Sequence, residues 1–339
     1  MPLVTDDAAH QLTTDMRTHA HDARAPFVLA LDIGTSSVRA SIYDAAGDEV
    51  AGTQARIARD FLTTADGGAE LDAEAALAET ARVVDETLAR AAAMDVRLAA
   101  IGVSCFWHSL VGVDEGGRAL TPVYGWADTR AAAEVAELRR CFDETATHRR
   151  TGCRFHASYW PAKLLWLRRA QAPVWRRVAC WLSFGELLAL RVCDTRAASL
   201  SMASGTGLLD QQRCDWDDEL LEGLGLSRAR LAPLAFDATD DAPPTLNAEF
   251  AARWPQLRGY PWFAAIGDGA ANNVGANCVT RDEAALMVGT SGALRVLYEG
   301  EPPAELPAGL WCYRADKRRV IVADNGERIF APRIQPAAV

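Results

Sequence analysis

The triplet Gly-Thr-Ser occurs twice in this chain within the same setting, and that echo limits the folds open to it. Residues 32–44 read DIGTSSVRASIYD and residues 287–299 read MVGTSGALRVLYE. The triplets stand at 34–36 and 289–291, and Tyr43 with Tyr298, like Asp44 with Glu299, keeps the same offset. In both copies an apolar run enters a tight turn and a second run leaves it, the pattern of a β-hairpin. Two related units, each presenting a Gly-Thr-Ser turn, account for the repeat. Glycine in such a turn lets successive backbone N–H groups converge on an anion, and the Thr and Ser hydroxyls add donors. One copy alone would be an ordinary turn. Two facing each other across a cleft would clamp a polyphosphate. Asp32, at the strand end before the first turn, is then placed to hold Mg2+ directly or through its water shell, since hard cations prefer oxygen ligands.

The rest of the text alternates strands, helices and hairpins, which predicts a mixed α/β fold. After paired strands over 26–44, residues 71–94 place Ala, Leu and Val at helical spacing. A strand follows at 98–104, then a hairpin around Gly116-Gly117, and helices at 129–141, 161–170 and 183–192. Pro233, Pro243, Pro244, Pro255 and Pro261 mark a boundary. Beyond it a short apolar strand, 262–266, leads to Asp268, and AANNVGANC reads as a helix start. The expected division is a disordered extension, 1–25, a first domain, 26–260, and a second, 261–339.

With 339 residues, half of them hydrophobic, two domains have enough apolar material for a core. A net charge of −10 supplies no basic face for a nucleic acid. Eight cysteines lie far apart with no CxxC pair, unlike a zinc framework or a disulfide scaffold. Residues 1–25 lack the apolar core of a signal peptide, and no stretch is long enough to span a bilayer. A reduced, cytoplasmic protein with no membrane partner is the expectation, with Met16 as an alternative start. His10, His19 and His21 read as a polar tail rather than a metal site. There is no GxxxxGK[ST], and GTGLLD at 205–210 and GDGAANNVG at 267–275 both fail the GxGxxG pattern.

Taken in order, DIGTSS, GWADTR, KLLWL at 163–167, SMASGTGLLD at 201–210, IGDGAANN at 266–273 and VGTSG at 288–292 resemble the FGGY family of carbohydrate kinases. The resemblance covers about residues 26 to 320. The wording FWHSL, GWADTR and SYWPAKLLWL is most similar to the gluconate kinase branch, with xylulokinases next. It implies a two-domain actin-like ATPase (ribonuclease H-like) α/β fold. It also implies ATP-dependent phosphorylation of a small-molecule sugar or sugar acid, with ATP and Mg2+ as cofactors. Gluconate to 6-phosphogluconate is the first choice, and xylulose or another ketose the alternative.

The resemblance further implies that Asp268 is the general base. The residues agree, because Asp268 lies after an apolar strand and between two glycines, where a carboxylate can be approached closely. Phosphoryl transfer asks for alignment, charge neutralisation and a positioned base. A turn Asp capping the next helix is the other reading. Gly34, Thr35 and Ser36 would face the transferred phosphate, and Gly289, Thr290 and Ser291 the inner phosphates. Arg39 either joins them or is a solvated strand residue.

For the acceptor, Trp126, Asp128 and Arg130 match the family's substrate segment and share one face if that piece is extended. The Arg130 fork would suit a carboxylate such as that of gluconate. His108 corresponds to a substrate-contacting His of related xylulokinases, or is a satisfied structural residue. Lys163 is either a ligand or an aliphatic stem with its tip in solvent. Family members run about half as long again and carry a Gly-Gly adenine-binding stretch that this text lacks. The second domain is therefore expected to be incomplete, without an adenine pocket and with uncovered apolar surface and open sheet edges. That leaves a catalytically weak sugar-binding remnant as the rival function. An ATPase moving protein partners would have no reason to carry GWADTR. A homodimer is left open.

Overall fold

The computed structural model describes residues 17–19, 22–94, 96–235, 243–288 and 292–324. Strand β1, Phe27–Ile33, buries Phe27, Leu29, Leu31 and Ile33 at every second position, so one face is core and the other is half covered. It turns at residues 34–36 into β2, Ser37–Tyr43, and the two pair antiparallel from Val28↔Tyr43 to Ile33↔Val38. Strand β3, Ala55–Ala58, adds to the outer side of β2. Helix α1, Ala73–Ala91, starts where the Asp72 carboxylate accepts the Ala75 amide at 2.7 Å. It lies against β2, with the Thr87 hydroxyl bonded to Ala40 O. Strand β4, Leu98–Cys105, then returns parallel to β1.

Between β4 and residue 262 lies a helical segment with its own core, built around Trp160, Leu164, Leu167, Trp181, Leu208 and Leu220. Helix α2, Trp160–Ala170, carries that core on one side and Lys163 on another. Lys163 is almost fully buried, and its Nζ donates to three main-chain carbonyls: His108 O at 3.1 Å, Gly125 O at 2.8 Å and Ser158 O at 2.6 Å. Neither sequence reading of Lys163 anticipated this, because the carbonyls come from segments far apart in the chain.

Strand β5, Ile266–Gly267, was expected to open the second domain. It is instead hydrogen-bonded into the first sheet, parallel to β4, with Ile266↔Ser104 and Gly267↔Cys105. The central order is therefore β3-β2-β1-β4-β5, three antiparallel strands followed by two parallel ones. The outer margin includes Arg17–Thr18, paired with Glu49–Val50, so part of the expected tail joins the sheet. His10, His21 and Met16 lie outside the described residues. Helix α3, Asp268–Gly275, follows β5 without a break.

A second, four-stranded antiparallel sheet comes next: β6, Ala285–Val288; β7, Gly292–Glu299; β8, Trp311–Arg314; and β9, Arg319–Asp324, in the order β6-β7-β9-β8. Leu297, Tyr313, Ile321 and Ala323 pack it onto the same core as the first sheet. Cys312 N bonds to Gly152 O at 2.9 Å, and Arg314 donates to Gln211 O at 2.8 and 2.6 Å, pinning it to the helical segment. Its outward face is apolar. Leu286 and Leu294 stand opposite each other in register, and both are exposed, as is Val274 of α3. All eight cysteines are unpaired, and no described helix is long and apolar enough to cross a membrane.

Exchanging Lys163 for Met keeps the stem and removes a donor from three carbonyls, of which Gly125 O still accepts the Asp128 amide at 3.3 Å. A buried carbonyl left unpaired costs about 1–3 kcal/mol. Lys163→Met is expected to lower unfolding free energy by about 3 kcal/mol or more in urea. An unchanged midpoint would show that the three segments hold together without it.

Candidate active site

Register brings the first two acids together. Asp32 and Ile266 both pair with Ser104 of β4, from opposite sides, so the carboxyl ends of β1 and β5 lie level. Asp268 extends β5 at that same end, where open α/β sheets place their ligand sites. Asp32 faces Arg39 directly across the β1–β2 pair, and Arg39 Nη2 reaches its Oδ2 at 2.5 Å. The pair is about half exposed, so it orients the carboxylate more than it stabilises the fold.

The first Gly-Thr-Ser turn is braced from beneath. Arg59, buried under it, donates from Nε and Nη2 to Gly34 O at 3.2 and 2.7 Å and lies over the Phe106 and Phe184 rings. Ser36 O accepts the Arg59 amide at 3.0 Å. The amides of Thr35 and Ser36 bond to nothing among the described residues, which leaves them free for an anion. Sequence reasoning missed Arg59, since nothing local links it to a turn more than twenty residues earlier. Gly289, Thr290 and Ser291 lie outside the described residues. The strands on either side of them, β6 and β7, do pair as a hairpin through Val288↔Gly292.

Asp268 is set by the glycines on each side of it. The Trp107 indole fills the space beside them. A Cβ on Gly267 would fall 1.9 Å from Trp107 Cε2, one on Gly269 2.5 Å from Cζ3, and one on Gly205 2.4 Å from Cδ1. Trp107 Nε1 donates to Ser201 O at 2.9 Å, and Gly267 N donates to Ser201 Oγ at 3.0 Å, which closes the lock. The glycines of SGTG and IGDG thus give room to one ring. Burial raises the pKa of the Asp268 carboxyl and the Asp32 charge adds to the rise, while the Arg295 charge and the Gly269 amide oppose it. The Gly269 amide donates to Asp268 Oδ1 at 2.8 Å. Asp268 therefore sits inside the first turn of α3 rather than capping it from outside.

His108 continues from Trp107 with a backbone φ of 65°, a left-handed conformation unusual for a non-glycine residue. Its Nδ1 lies 2.5 Å from Gly205 O. A carbonyl only accepts, so Nδ1 carries the proton and Nε2 is left as an acceptor. Burial pulls its pKa down to about 3, and the ring is neutral near pH 7. Its edge meets the Tyr159 ring, and the Tyr159 and Tyr313 hydroxyls touch at 2.5 Å.

The segment 126–130 departs from expectation. It is a turn rather than a strand, in which Arg130 bonds Asp128 and Asp128 lines one cleft with Trp126. The Arg130 fork is already occupied: Nη2 bonds Asp128 Oδ2 at 2.5 Å and Glu70 Oε2 at 2.6 Å, and Nε also bonds Asp128. Asp128 is buried, and it accepts the Ala69 and Arg130 amides as well. Carboxylates nearer than any ligand have taken the donors meant for one. Trp126, 42% exposed, stands on an open cleft of about 450 Å3 with Arg139, Phe155, His156 and Ser158. Asp32, His108 and Asp268 do not line that cleft.

Among the described residues no three metal-ligating side chains cluster. Magnesium needs only one or two carboxylates beside phosphate oxygens and its own waters. Asp32 fits that demand, because Oδ1 has no hydrogen bond among the described residues and Oδ2 is held by Arg39.

Residues 27–275 match the family model described as FGGY family of carbohydrate kinases, N-terminal domain. The chain is 25% identical over 298 residues to the gluconokinase of Bacillus subtilis (strain 168), covering 87% of this chain and 56% of that protein. It is 28% identical over 272 residues to the xylulose kinase of Escherichia coli (strain K12), covering 80% and 54%. It superposes on the crystal structure of gluconate kinase from Lactobacillus acidophilus with a TM-score of 0.81 at 26% identity, covering 91% and 62%. The chain spans about half the length of the curated relatives it matches.

Gly267→Ala tests the lock on Asp268. Driving a methyl into the Trp107 ring is expected to cost about 1–3 kcal/mol in urea denaturation and to alter the near-ultraviolet circular dichroism of the tryptophans. A wild-type spectrum and midpoint would mean that the indole has slack.

Proposed function

Since the chain belongs to the FGGY family of carbohydrate kinases, we propose that it transfers the terminal phosphoryl group of ATP to a hydroxyl of a sugar or sugar acid. The acceptor in this reading is gluconate, converted to 6-phosphogluconate. What carries it is Asp268, a carboxylate at the level of Asp32 and the Gly34-Thr35-Ser36 turn at one end of the sheet. The gluconokinase likeness also runs over more of the chain than the xylulose kinase likeness, although the latter is the closer in identity. Xylulose is therefore the competing acceptor.

In the proposed reaction Asp268 accepts the acceptor's hydroxyl proton as the new O–P bond forms. The bond from the terminal phosphorus to its bridging oxygen breaks, and ADP leaves with that electron pair. The amides of Thr35 and Ser36 and the hydroxyls of that turn hold the transferred phosphoryl group, and Gly289, Thr290 and Ser291 hold the inner phosphates. Asp32 holds Mg2+, which when bound neutralises charge on the phosphates. His108 Nε2 accepts a hydrogen bond from an acceptor hydroxyl and fixes its orientation. Trp126 offers a ring face, and Asp128 with Arg130 shapes the segment that presents it.

The test is a thermal-shift panel of sugars and sugar acids with and without Mg-ATP, since a ligand that binds the native state raises its apparent stability. A shift with gluconate or xylulose is expected, and none with any acceptor would overturn the proposal. Asp268→Asn is expected to reduce phosphoryl transfer by about 10²–10⁴-fold while leaving acceptor binding intact. Because the Asp268 carboxyl titrates above its ordinary value, the acid limb of the pH–rate profile should lie above the usual carboxylate range. Activity should fall as pH drops through it. Near-normal turnover in the variant would remove the base.

A further inference from the structure

Among the described residues, Arg295 is a buried cation that neither a hydrogen bond nor an ion pair answers. It projects from β7 and is only 8% exposed. Its Nε and Nη1 are enclosed without a hydrogen-bond partner, and no ion pair holds it among the described residues. An unpaired cation at such depth is expensive. Proteins normally pair such a group, because a buried charge left without a partner is strongly destabilising. Other buried cations have carbonyls to answer them: Lys163 has three, Arg314 has Gln211 O and Lys317 O, and Arg59 has Gly34 O with only its Nη1 left over.

Its surroundings point to the missing partner. A Cβ on Gly269, next to Asp268, would lie 2.8 Å from Arg295 Nε, so the guanidinium is packed against the first turn of α3. Its charge is felt by Asp268 and by His108. It does not close on Asp268, since no ion pair joins them. The nearby wall is aromatic, with the Trp107 and Tyr313 rings 4.8 Å apart. A site with a carboxylate base, a neutral imidazole acceptor, aromatic faces and one unanswered guanidinium is matched by a polyol that carries an anion.

We propose that Arg295 is the receptor for the carboxylate of an acidic acceptor, an aldonate, and so selects sugar acids over neutral sugars. This rests on the sugar-kinase reading above and transfers the role first expected of Arg130, whose fork is spent on Asp128 and Glu70. The same oxyanion chemistry could serve a phosphate of the donor. The free amides at residues 35–36, at the end of the first sheet, answer part of that need, and the phosphate and Mg-ATP arms of the experiment below separate the two sources.

The experiment measures, by titration calorimetry on the whole chain, binding of gluconate, xylulose, inorganic phosphate and Mg-ATP to wild type, Arg295→Met and Arg295→Lys. Arg295→Met is expected to weaken gluconate by about 10- to 100-fold, the range of one or two charge-assisted hydrogen bonds. Xylulose and phosphate should change by less than about threefold, within the scatter of a lost neutral contact. Arg295→Lys, which keeps the charge without the fork, should fall between. Ligand-free Arg295→Met should melt at or above wild type, because an uncompensated charge has gone, an effect that a merely structural arginine would reverse.

Unchanged gluconate binding, equal losses for gluconate and xylulose, or a loss confined to phosphate or Mg-ATP would each overturn the assignment. Wild type that binds xylulose and ignores gluconate would overturn it too while leaving the kinase reading in place. Wild type that binds neither sugar brings down the kinase reading itself. If Arg295→Met does not fold, the Arg295→Lys comparison still separates the outcomes.

Discussion

Two adjacent ladders of parallel hydrogen bonds, β1 to β4 and β4 to β5, set the positions of the acids. Strands in a sheet lie about 4.8 Å apart, so β1 and β5 are separated by roughly twice that distance, with β4 between them. The pairing of Gly267 with Cys105 fixes where β5 ends, and hence how far beyond the sheet Asp268 projects. A slip of one residue would turn every side chain of the strand to the other face. The Trp107 ring, wedged among Gly205, Gly267 and Gly269, blocks such a slip sterically. Hydrogen bonding sets the level of the carboxylate and packing sets its direction.

The cations of the interior show a gradation. Lys163 has three carbonyls. Arg59 has one carbonyl taken twice and two aromatic faces, with Nη1 left over. Arg295 has neither carbonyl nor carboxylate among the described residues. The first two hold the chain in shape, Lys163 by joining segments and Arg59 by fixing the floor of the first turn. The third differs because its environment is complete in packing and incomplete in charge.

Local pattern carried much of the fold. The hairpin of β1 and β2 was read from its two apolar runs around a tight turn, α1 from helical spacing, and β4 from its apolar run. The central sheet's parallel partner β5 was seen as a strand and assigned to the wrong neighbour. A two-residue strand has too little text to declare its partner, and the proline cluster before it suggested a break that the backbone does not make. Asp268 and Asp32 were legible because acids at strand ends interrupt an apolar run. Arg59 and Arg295 were not, since each owes its setting to a residue distant in the chain, and an arginine on an alternating strand looks like any solvated one. Arg130 was legible as a residue and misread in use. Its fork is closed by Glu70, which sequence spacing cannot bring near.

Lys163 also bears on how this region can vary. Its three bonds end on the backbones of the stretches that carry His108, Trp126 and the start of α2. A shift in any one loop changes the angle at which the ammonium meets the other two, so substitutions in the three stretches are energetically entangled. Their effects should fail to add, and a change tolerated in one background should be rejected in another. The loops are bound to drift as a set, along correlated paths, wherever this lysine is kept.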